Sequence, residues 1–366
     1  MKAQGPLSIG AIVAATGLSR ATIDRVINNC PGVHPRTQAH VLRVIDRLEQ
    51  GELLNGQDAS TVAPGATYQL RLVIQAGQAF TRALLEAIQR AAESGTAVAS
   101  LHAVASHSDE ETLELIRSLG PGCDGLAVVT KNTEPLRAAL AELRTGGKPV
   151  VALVSDLEPQ ARSAYAGIDN RAAGQLAGFL AGRCLERVPE AKVAVVVGYF
   201  AYRCQEEREI GFRSLLRQRY PHIELVEVLK GEDSSEATYE AARRLLQKRP
   251  DIAGLYNLAG GNRGLAQALS ENPPARRPLL ISHEVNEVTE PLLRSGVIDF
   301  LITQDLDALV RTTRQLLVDL QATRSPIREL NHLPFQLVSE FNLVPDPAKL
   351  EKQLRFRSGK PSARPE

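Results

Sequence analysis

Two arginines near the amino terminus are the first residues in the sequence with types and spacing suited to specific chemistry. The stretch GLSRATIDRVINN has its apolar residues at helical spacing, and Arg20 and Arg25 lie mostly on the opposite side. An arginine fork can donate two hydrogen bonds to a guanine edge in the major groove of DNA. The competing interpretation is an amphipathic surface helix whose arginines are simply solvated.

Three short helices would position these arginines. Ser8 can cap a first helix, Gly17 can end it, and Ser19 can cap a second helix. Pro35 can occupy the first turn of a third helix, which carries an apolar stripe. The pattern predicts a helix-turn-helix domain over residues 1–52, whose second helix would enter the major groove. The predicted DNA-contacting residues are Ser8, Ser19, Arg20, Ala21, Thr22, Arg25 and Asn28.

The charge distribution supports a module that meets phosphates. Residues 1–50 hold six basic side chains against three acidic ones, whereas the whole chain of 366 residues has a formal net charge of +1. A basic end on a balanced chain is typical of a nucleic-acid-binding module.

The remaining composition argues against several other classes. The four cysteines are scattered without zinc spacing, which favours reduced thiols in a cytoplasmic protein. No apolar run approaches the roughly 18 residues of a membrane span. The segment IGAIVAATGL faintly resembles a signal peptide but lacks a clear cleavage site. We expect a cytoplasmic location, no membrane association, no metal and no other cofactor.

From Tyr68 onward, short β-rich runs alternate with longer amphipathic runs. This alternation predicts α/β architecture with parallel sheets covered by helices on both faces. The region is too long for one common doubly wound sheet, so we expect two.

Polar side chains recur where these predicted strands end, which is where open parallel sheets bind ligands. Amides, carboxylates and an arginine beside Phe80, Tyr199 and Tyr202 suit a polyhydroxyl ligand, because hydroxyls both donate and accept hydrogen bonds. The alternative is that strand ends are polar only because they lead into loops.

The amino-terminal stretch SIGAIVAATGLSRATIDRVINN, followed by VHPRTQAHVLRVIDRL, resembles the DNA-binding headpiece of the lactose-repressor (LacI) family. By this resemblance Arg20, Ala21 and Arg25 would read bases. The family's hinge helix inserts a leucine into the minor groove, but Gly56 and Asp58 weaken any helix here. A flexible linker is the alternative for this segment.

The later motifs GIDNRAAGQLAG, EREIGF, GLYNLAGGNRGLAQAL and LLRSGVIDFLITQD resemble the periplasmic-binding-protein-like effector domain of the same family. The resemblance implies two lobes that close on a small ligand, usually a sugar. The expected ligand-binding residues are Gln78, Phe80, Asp156, Asn170, Arg208, Asn257, Glu284 and Gln304. The implied domains are a headpiece at 1–52, a hinge or linker at 53–67, a two-lobed domain at 68–345 and a basic mobile tail at 346–366. Lobe 1 would span about 68–168 and 304–330, and lobe 2 about 170–302.

The resemblance favours a ligand-responsive transcriptional regulator, most simply a repressor, that binds a double-stranded DNA operator as a homodimer and responds to a sugar or related polyol. The alternative is an exported solute-binding protein of a sugar transport system. A third hypothesis is an enzyme, for which His283 and Glu284 could form an acid–base pair. The chain lacks the common catalytic motifs, so we expect no enzymatic activity.

Overall fold

The structure is a computed structural model that separates into two units, Met1–Ala66 and Thr67–Glu366. It describes residues 20–28, 33, 37–38, 41–42, 45, 68–93, 99–106, 108–274, 276–323 and 330–343. Ser8, Ser19, the predicted first helix, the hinge and the basic tail lie outside the described residues, as do the side chains of Arg20 and Ala21.

The first unit contains helix α1 (Arg20–Ile27), which is amphipathic. Its Ile23 and Val26 pack in a small apolar cluster with Val41. Ile27, which the sequence pattern grouped with them, is instead 45% exposed. Arg25 and Asn28 are exposed, Thr22 is partly buried, and the Asn28 side-chain amide donates to the Asp24 carbonyl at 2.8 Å.

The second unit has the alternating strands and helices expected of α/β architecture. Its strands are β1 (Tyr68–Gln75), β2 (Ala99–Ser106), β3 (Gly125–Val129), β4 (Val150–Leu153), β5 (Ala164–Ile168), β6 (Lys192–Val197), β7 (Glu224–Lys230), β8 (Ile252–Asn257), β9 (Leu279–His283), β10 (Phe300–Gln304), β11 (Leu330–Leu333) and β12 (Phe335–Val338). Its helices are α2 (Gln78–Glu93), α3 (Asp109–Leu119), α4 (Glu134–Thr145), α5 (Asn170–Cys184), α6 (Arg203–Arg219), α7 (Ser235–Lys248), α8 (Asn262–Glu271), α9 (Thr289–Arg294) and α10 (Leu306–Thr323).

These strands form two sheets of six, one in each lobe. Lobe 1 has the order β11-β5-β4-β3-β1-β2, and lobe 2 has the order β12-β10-β9-β8-β6-β7. The described chain therefore passes between the lobes after β5, after β10 and between β11 and β12. The prediction of a two-lobed α/β fold with parallel sheets is confirmed. One departure is β12, which the sequence pattern missed and which pairs antiparallel with β10 at an edge.

Burial explains why the central strands form where they do. In β6, Val193–Val197 is entirely buried, as a parallel strand covered by helices on both faces requires. One side of this sheet packs against α5 and α6 through Phe212 and Leu216, and the other packs against α7 and α8 through Leu245 and Leu265. These layers hold the ends of the strands, and so the loops that follow them, in fixed positions.

Helices α5 and α6 approach unusually closely because each has a glycine at the contact. An added Cβ at Gly174 would lie 2.0 Å from the Arg208 carbonyl oxygen, and one at Gly211 would lie 2.2 Å from the Arg171 carbonyl oxygen. Any larger residue would force the helices apart. Because Arg208 lies on α6, this packing also sets the position of that side chain.

We therefore expect Gly211→Ala to destabilise the protein by about 1–3 kcal/mol, the usual cost of overpacking a well-packed contact. Urea unfolding followed by circular dichroism measures the change. The matched control is Gly122→Ala, because its added Cβ would come no closer than 3.9 Å to the nearest atom, an ordinary contact. Equal stability of the two variants would contradict this account of the helix pair.

Candidate functional site

A cavity of about 900 Å³ lies between the two lobes at the carboxyl ends of their strands. Lobe 1 contributes the segments that follow β1, β3 and β4, and lobe 2 contributes those that follow β6, β7, β8 and β9. This is the position at which open parallel sheets bind ligands. The volume falls within the roughly 300–1,000 Å³ of typical small-molecule sites.

Arg208 is the most deeply buried cation of the cavity lining. It is 4% exposed, and two neutral acceptors hold its guanidinium. Its Nε donates to the Asn170 Oδ1 at 2.8 Å, and its Nη1 donates to the Leu258 carbonyl at 2.9 Å. Neither of these partners is charged, so Arg208 has no salt-bridged carboxylate among the described residues, although its charge opposes the rise that burial causes in the pKa of the Asp233 and Glu284 carboxyls.

Asn170 orients Arg208 and is itself fixed by the turn after β4. Its side-chain amide donates to the Val154 carbonyl at 3.0 Å and to the Tyr165 hydroxyl at 3.2 Å. Val154 has φ +62°, a conformation that is rare for a β-branched residue. Such strained positions cluster at functional sites, where the surrounding structure holds them in place.

On lobe 2, Asp233 and Gln205 form a second fixed group in the lining. The Asp233 Oδ1 accepts from the Gly260 amide at 2.8 Å, and the Gln205 Oε1 accepts from the Gly198 amide at 2.8 Å. Burial raises the pKa of Asp233, and the bond from Gly260 opposes that shift. Both side chains therefore present defined hydrogen-bonding groups to the cavity.

On lobe 1, Lys131 lines the cavity, but its charge is paired with Asp109. Its Nζ bonds Asp109 at 2.9 Å and lies 4.4 Å from the centre of the Tyr199 ring. Partial burial would raise the pKa of Asp109, but the bonds from Lys131 and Gln75 lower it below its usual range. The Gln75 Oε1 also accepts from the Lys131 backbone amide at 3.1 Å.

His283 and Glu284 do not form an acid–base pair, because each bonds a different partner. The His283 Nε2 lies 2.7 Å from the Tyr256 hydroxyl, and Gln304 donates to the Glu284 carboxylate at 2.7 Å. Burial, assisted by the charge of Arg208, holds the pKa of His283 well below its usual range. Burial raises the pKa of Glu284.

The lobes contact each other directly around the cavity. The Tyr202 hydroxyl of lobe 2 donates to the Gln75 carbonyl of lobe 1 at 2.9 Å. The Asn132 amide donates to the Ala201 carbonyl at 2.7 Å. Arg82 bonds Glu287 at 2.5 Å across the cleft mouth. These contacts bridge the two lobes across the cleft.

The structure brings four of the eight predicted ligand-binding residues to this cavity, namely Gln78, Phe80, Arg208 and Glu284. Gln304 lines an adjoining cavity instead. The other three serve the protein itself. Asn170 lies behind Arg208, Asp156 pairs with the Arg162 guanidinium, and Asn257 donates to Asn262 at 2.9 Å.

Sequence reasoning missed Gln75, Gln205 and Asp233. Gln75 is the last residue of β1, and Asp233 lies in the loop after β7. The strand-end rule would have found both residues, had it been applied to the final strand residue and to that loop. Gln205 lies in the first turn of a helix, where no strand-end pattern points to it.

Metal sites and membrane-spanning helices are assessed only over the part of the chain that the structure describes. Within it, no group of three or more His, Cys, Asp or Glu side chains is arranged to hold a metal ion. Among the same residues, no helix is both long enough and apolar enough to cross a bilayer.

A family model described as a periplasmic binding protein domain matches residues 71–324. No curated protein sequence matches the chain.

Three solved structures illustrate the shared fold. A solute-binding protein from Burkholderia graminis, in complex with D-arabinose, has a TM-score of 0.69 at 18% identity, over 76% of this chain and 98% of that one. GanP, a glucose-galactose binding protein from Geobacillus stearothermophilus, has a TM-score of 0.68 at 20% identity, over 76% and 99%. The periplasmic component of an ABC-type sugar transport system from Hahella chejuensis has a TM-score of 0.67 at 23% identity, over 74% and 100%.

These findings correct the main functional hypothesis. The prediction of a DNA-binding transcriptional regulator is wrong, and so are the operator partner and the repressor role, because the similar structures are sugar-binding proteins, several of them from transport systems. The expected cytoplasmic location is wrong for the same reason. Physically, the exposed Arg25 on a short amphipathic helix is equally compatible with a solvated surface. What the comparisons support is a periplasmic binding protein domain within the two-lobed unit, without a LacI-type regulator.

The domain match covers more than half of the sequence and lies within the two-lobed unit that contains the cavity. The chain belongs to the family of periplasmic binding protein domains.

Proposed function

We propose that this protein is an exported receptor that binds a neutral sugar in the cleft between its lobes and serves a sugar transport system. The observation that carries the proposal is the polar cavity between the bridged lobes, built around the buried Arg208. A sugar needs many fixed donors and acceptors at once, because each of its hydroxyls can both donate and accept. The cavity supplies them from both lobes.

The charges of the cavity favour a neutral ligand over an anion. Its cationic side chains are Arg82, Lys131, Arg208 and Arg263, and its carboxylates are Glu232, Asp233, Glu236, Glu284 and Glu287. Lys131 and Arg82 are already paired with carboxylates. A phosphate would therefore meet more negative than unpaired positive charge, whereas hydroxyls can bond to groups of either sign.

Aromatic rings complete the match to a sugar. Phe80 and Tyr199 line the cavity from lobe 1 and lobe 2, and the Tyr199 ring is 37% exposed. The C–H face of a sugar ring can pack against such surfaces while its hydroxyls meet the polar groups. We propose binding without chemical turnover, because His283 and Glu284 are occupied by separate partners.

The similar structures support the transport role. They include a carbohydrate transporter solute-binding protein from Agrobacterium radiobacter in complex with D-arabinose, as well as the ABC-type component from Hahella chejuensis. We infer that this chain likewise delivers its ligand to an ABC-type transporter.

The first expected result is thermal stabilisation by a sugar. A ligand that binds only the folded state adds about 2.7 kcal/mol of stability at 100 times its Kd. We would screen D-glucose, D-galactose, D-arabinose, D-xylose and common disaccharides by thermal shift, and then titrate the hits by calorimetry. If none of these sugars raises the Tm at millimolar concentration, the proposal fails.

The second expected result concerns the buried guanidinium. Arg208→Lys keeps the charge but loses the planar fork that bonds Asn170 and Leu258 simultaneously, so we expect at least a tenfold loss of sugar affinity by calorimetry. The matched control is Arg217→Lys, an exposed position on the same helix. Wild-type affinity in Arg208→Lys would exclude Arg208 from ligand recognition.

The third expected result concerns location. Osmotic shock of cells carrying the natural gene should release the protein together with a periplasmic marker enzyme. Recovery with the cytoplasmic marker alone would contradict the transport role and leave sugar binding intact.

A further inference from the structure

A second cavity of about 490 Å³ adjoins the first at the cleft mouth. We call the two cavities the inner and outer chambers. The wall between them consists of side chains that line both, namely Ala79, Arg82, Glu284, Asn286 and Glu287. The outer chamber lies between helix α2 and the part of lobe 2 that contains Thr303, Gln336 and Leu343.

Gln304 borders the outer chamber and carries a buried acceptor that the described residues leave unused. Gln304 is 5% exposed, and its amide nitrogen donates to Glu284, but its Oε1 has no hydrogen-bond partner among the described residues. Gln304 lines the outer chamber and not the inner one. A buried carbonyl oxygen without a partner costs stability, so a small rotation of this side chain that brings the oxygen to a donor in the outer chamber would be favourable.

The other walls define what can enter. Ala83, Leu306 and Val338 give the chamber apolar surface, while Glu284 adds carboxylate oxygens beside Gln304. Carboxylates outnumber the arginines in the lining, so an anionic group would be repelled. Acceptors next to apolar surface suit a neutral group with hydroxyl donors and a C–H face.

The wall between the chambers can open at low cost. The Arg82–Glu287 pair has side chains that are 59% and 47% exposed, and exposed ion pairs contribute little to stability. Its two side chains can therefore separate when a ligand passes between them.

We propose that the ligand extends past the Arg82–Glu287 pair, so that the protein takes a disaccharide or other glycoside, with its second unit in the outer chamber. The inference rests on the proposed function, since the first unit occupies the inner chamber.

The test compares each monosaccharide that binds with disaccharides and methyl glycosides that contain it, by calorimetry. Galactose, for example, would be paired with lactose, melibiose and methyl β-D-galactopyranoside. We expect at least one disaccharide to bind tenfold or more tightly than its parent monosaccharide. If every disaccharide binds equally to or more weakly than its parent, the inference is overturned and the proposed function stands. If no sugar of any size binds, the proposed function itself fails.

Ala83→Phe fills the outer chamber from α2 and should remove the disaccharide advantage while leaving monosaccharide affinity within about twofold, because Ala83 does not line the inner chamber. Leu85→Phe is the control, because Leu85 is exposed on the same helix and lines neither chamber. If Ala83→Phe does not fold, Gln336→Phe blocks the same chamber from β12. A retained disaccharide advantage in a folded blocking variant would place the second unit elsewhere.

Discussion

A buried guanidinium at the floor of the cleft constrains much of lobe 2. Removing a charge from water is costly unless hydrogen bonds replace the lost hydration, so Arg208 requires fixed acceptors. Asn170, at the start of α5, and the Leu258 carbonyl, just after β8, supply them. Both acceptors must lie within bonding distance of α6, and the close approach at Gly174 and Gly211 allows this. Recognition and helix packing thus depend on one another.

The same charge organises the electrostatics of the cavity. It adds to burial in keeping His283 neutral, and it opposes the effect of burial on the carboxylates of Asp233 and Glu284. Lys131 contributes less because Asp109 pairs with its ammonium within lobe 1. Among the described residues, the lining thus combines a buried cation that has no carboxylate partner with neutral donors and several acceptors. Such a lining is better matched to hydroxyls than to a phosphate.

Periodicity predicted two parallel sheets because parallel strands buried on both faces are continuous apolar runs, which differ sharply from amphipathic helices. The strand-end rule selected Glu284 and the family resemblance selected Arg208, and both line the cavity. The same reasoning also selected Asn257, whose side chain bonds Asn262 and does not line the cavity. Residue type alone does not distinguish a polar side chain that forms hydrogen bonds within a loop from one that forms hydrogen bonds to a ligand. The amino-terminal helix shows the same limit, since exposed arginines on an amphipathic helix do not by themselves specify a partner.

Shared architecture leaves the ligand open, because sites are built from loops that vary on a common scaffold. At 18–23% identity the solved relatives establish the scaffold, whereas the chemistry belongs to this chain's own segments after β1, β7 and β9. Closure then needs to be reversible, and the contacts across the cleft fit that need. Among the described residues they include hydrogen bonds and the exposed Arg82–Glu287 pair. A ligand that bonds both lobes can shift the equilibrium between open and closed lobes toward the closed form. Dissociation of the ligand then allows the lobes to open again.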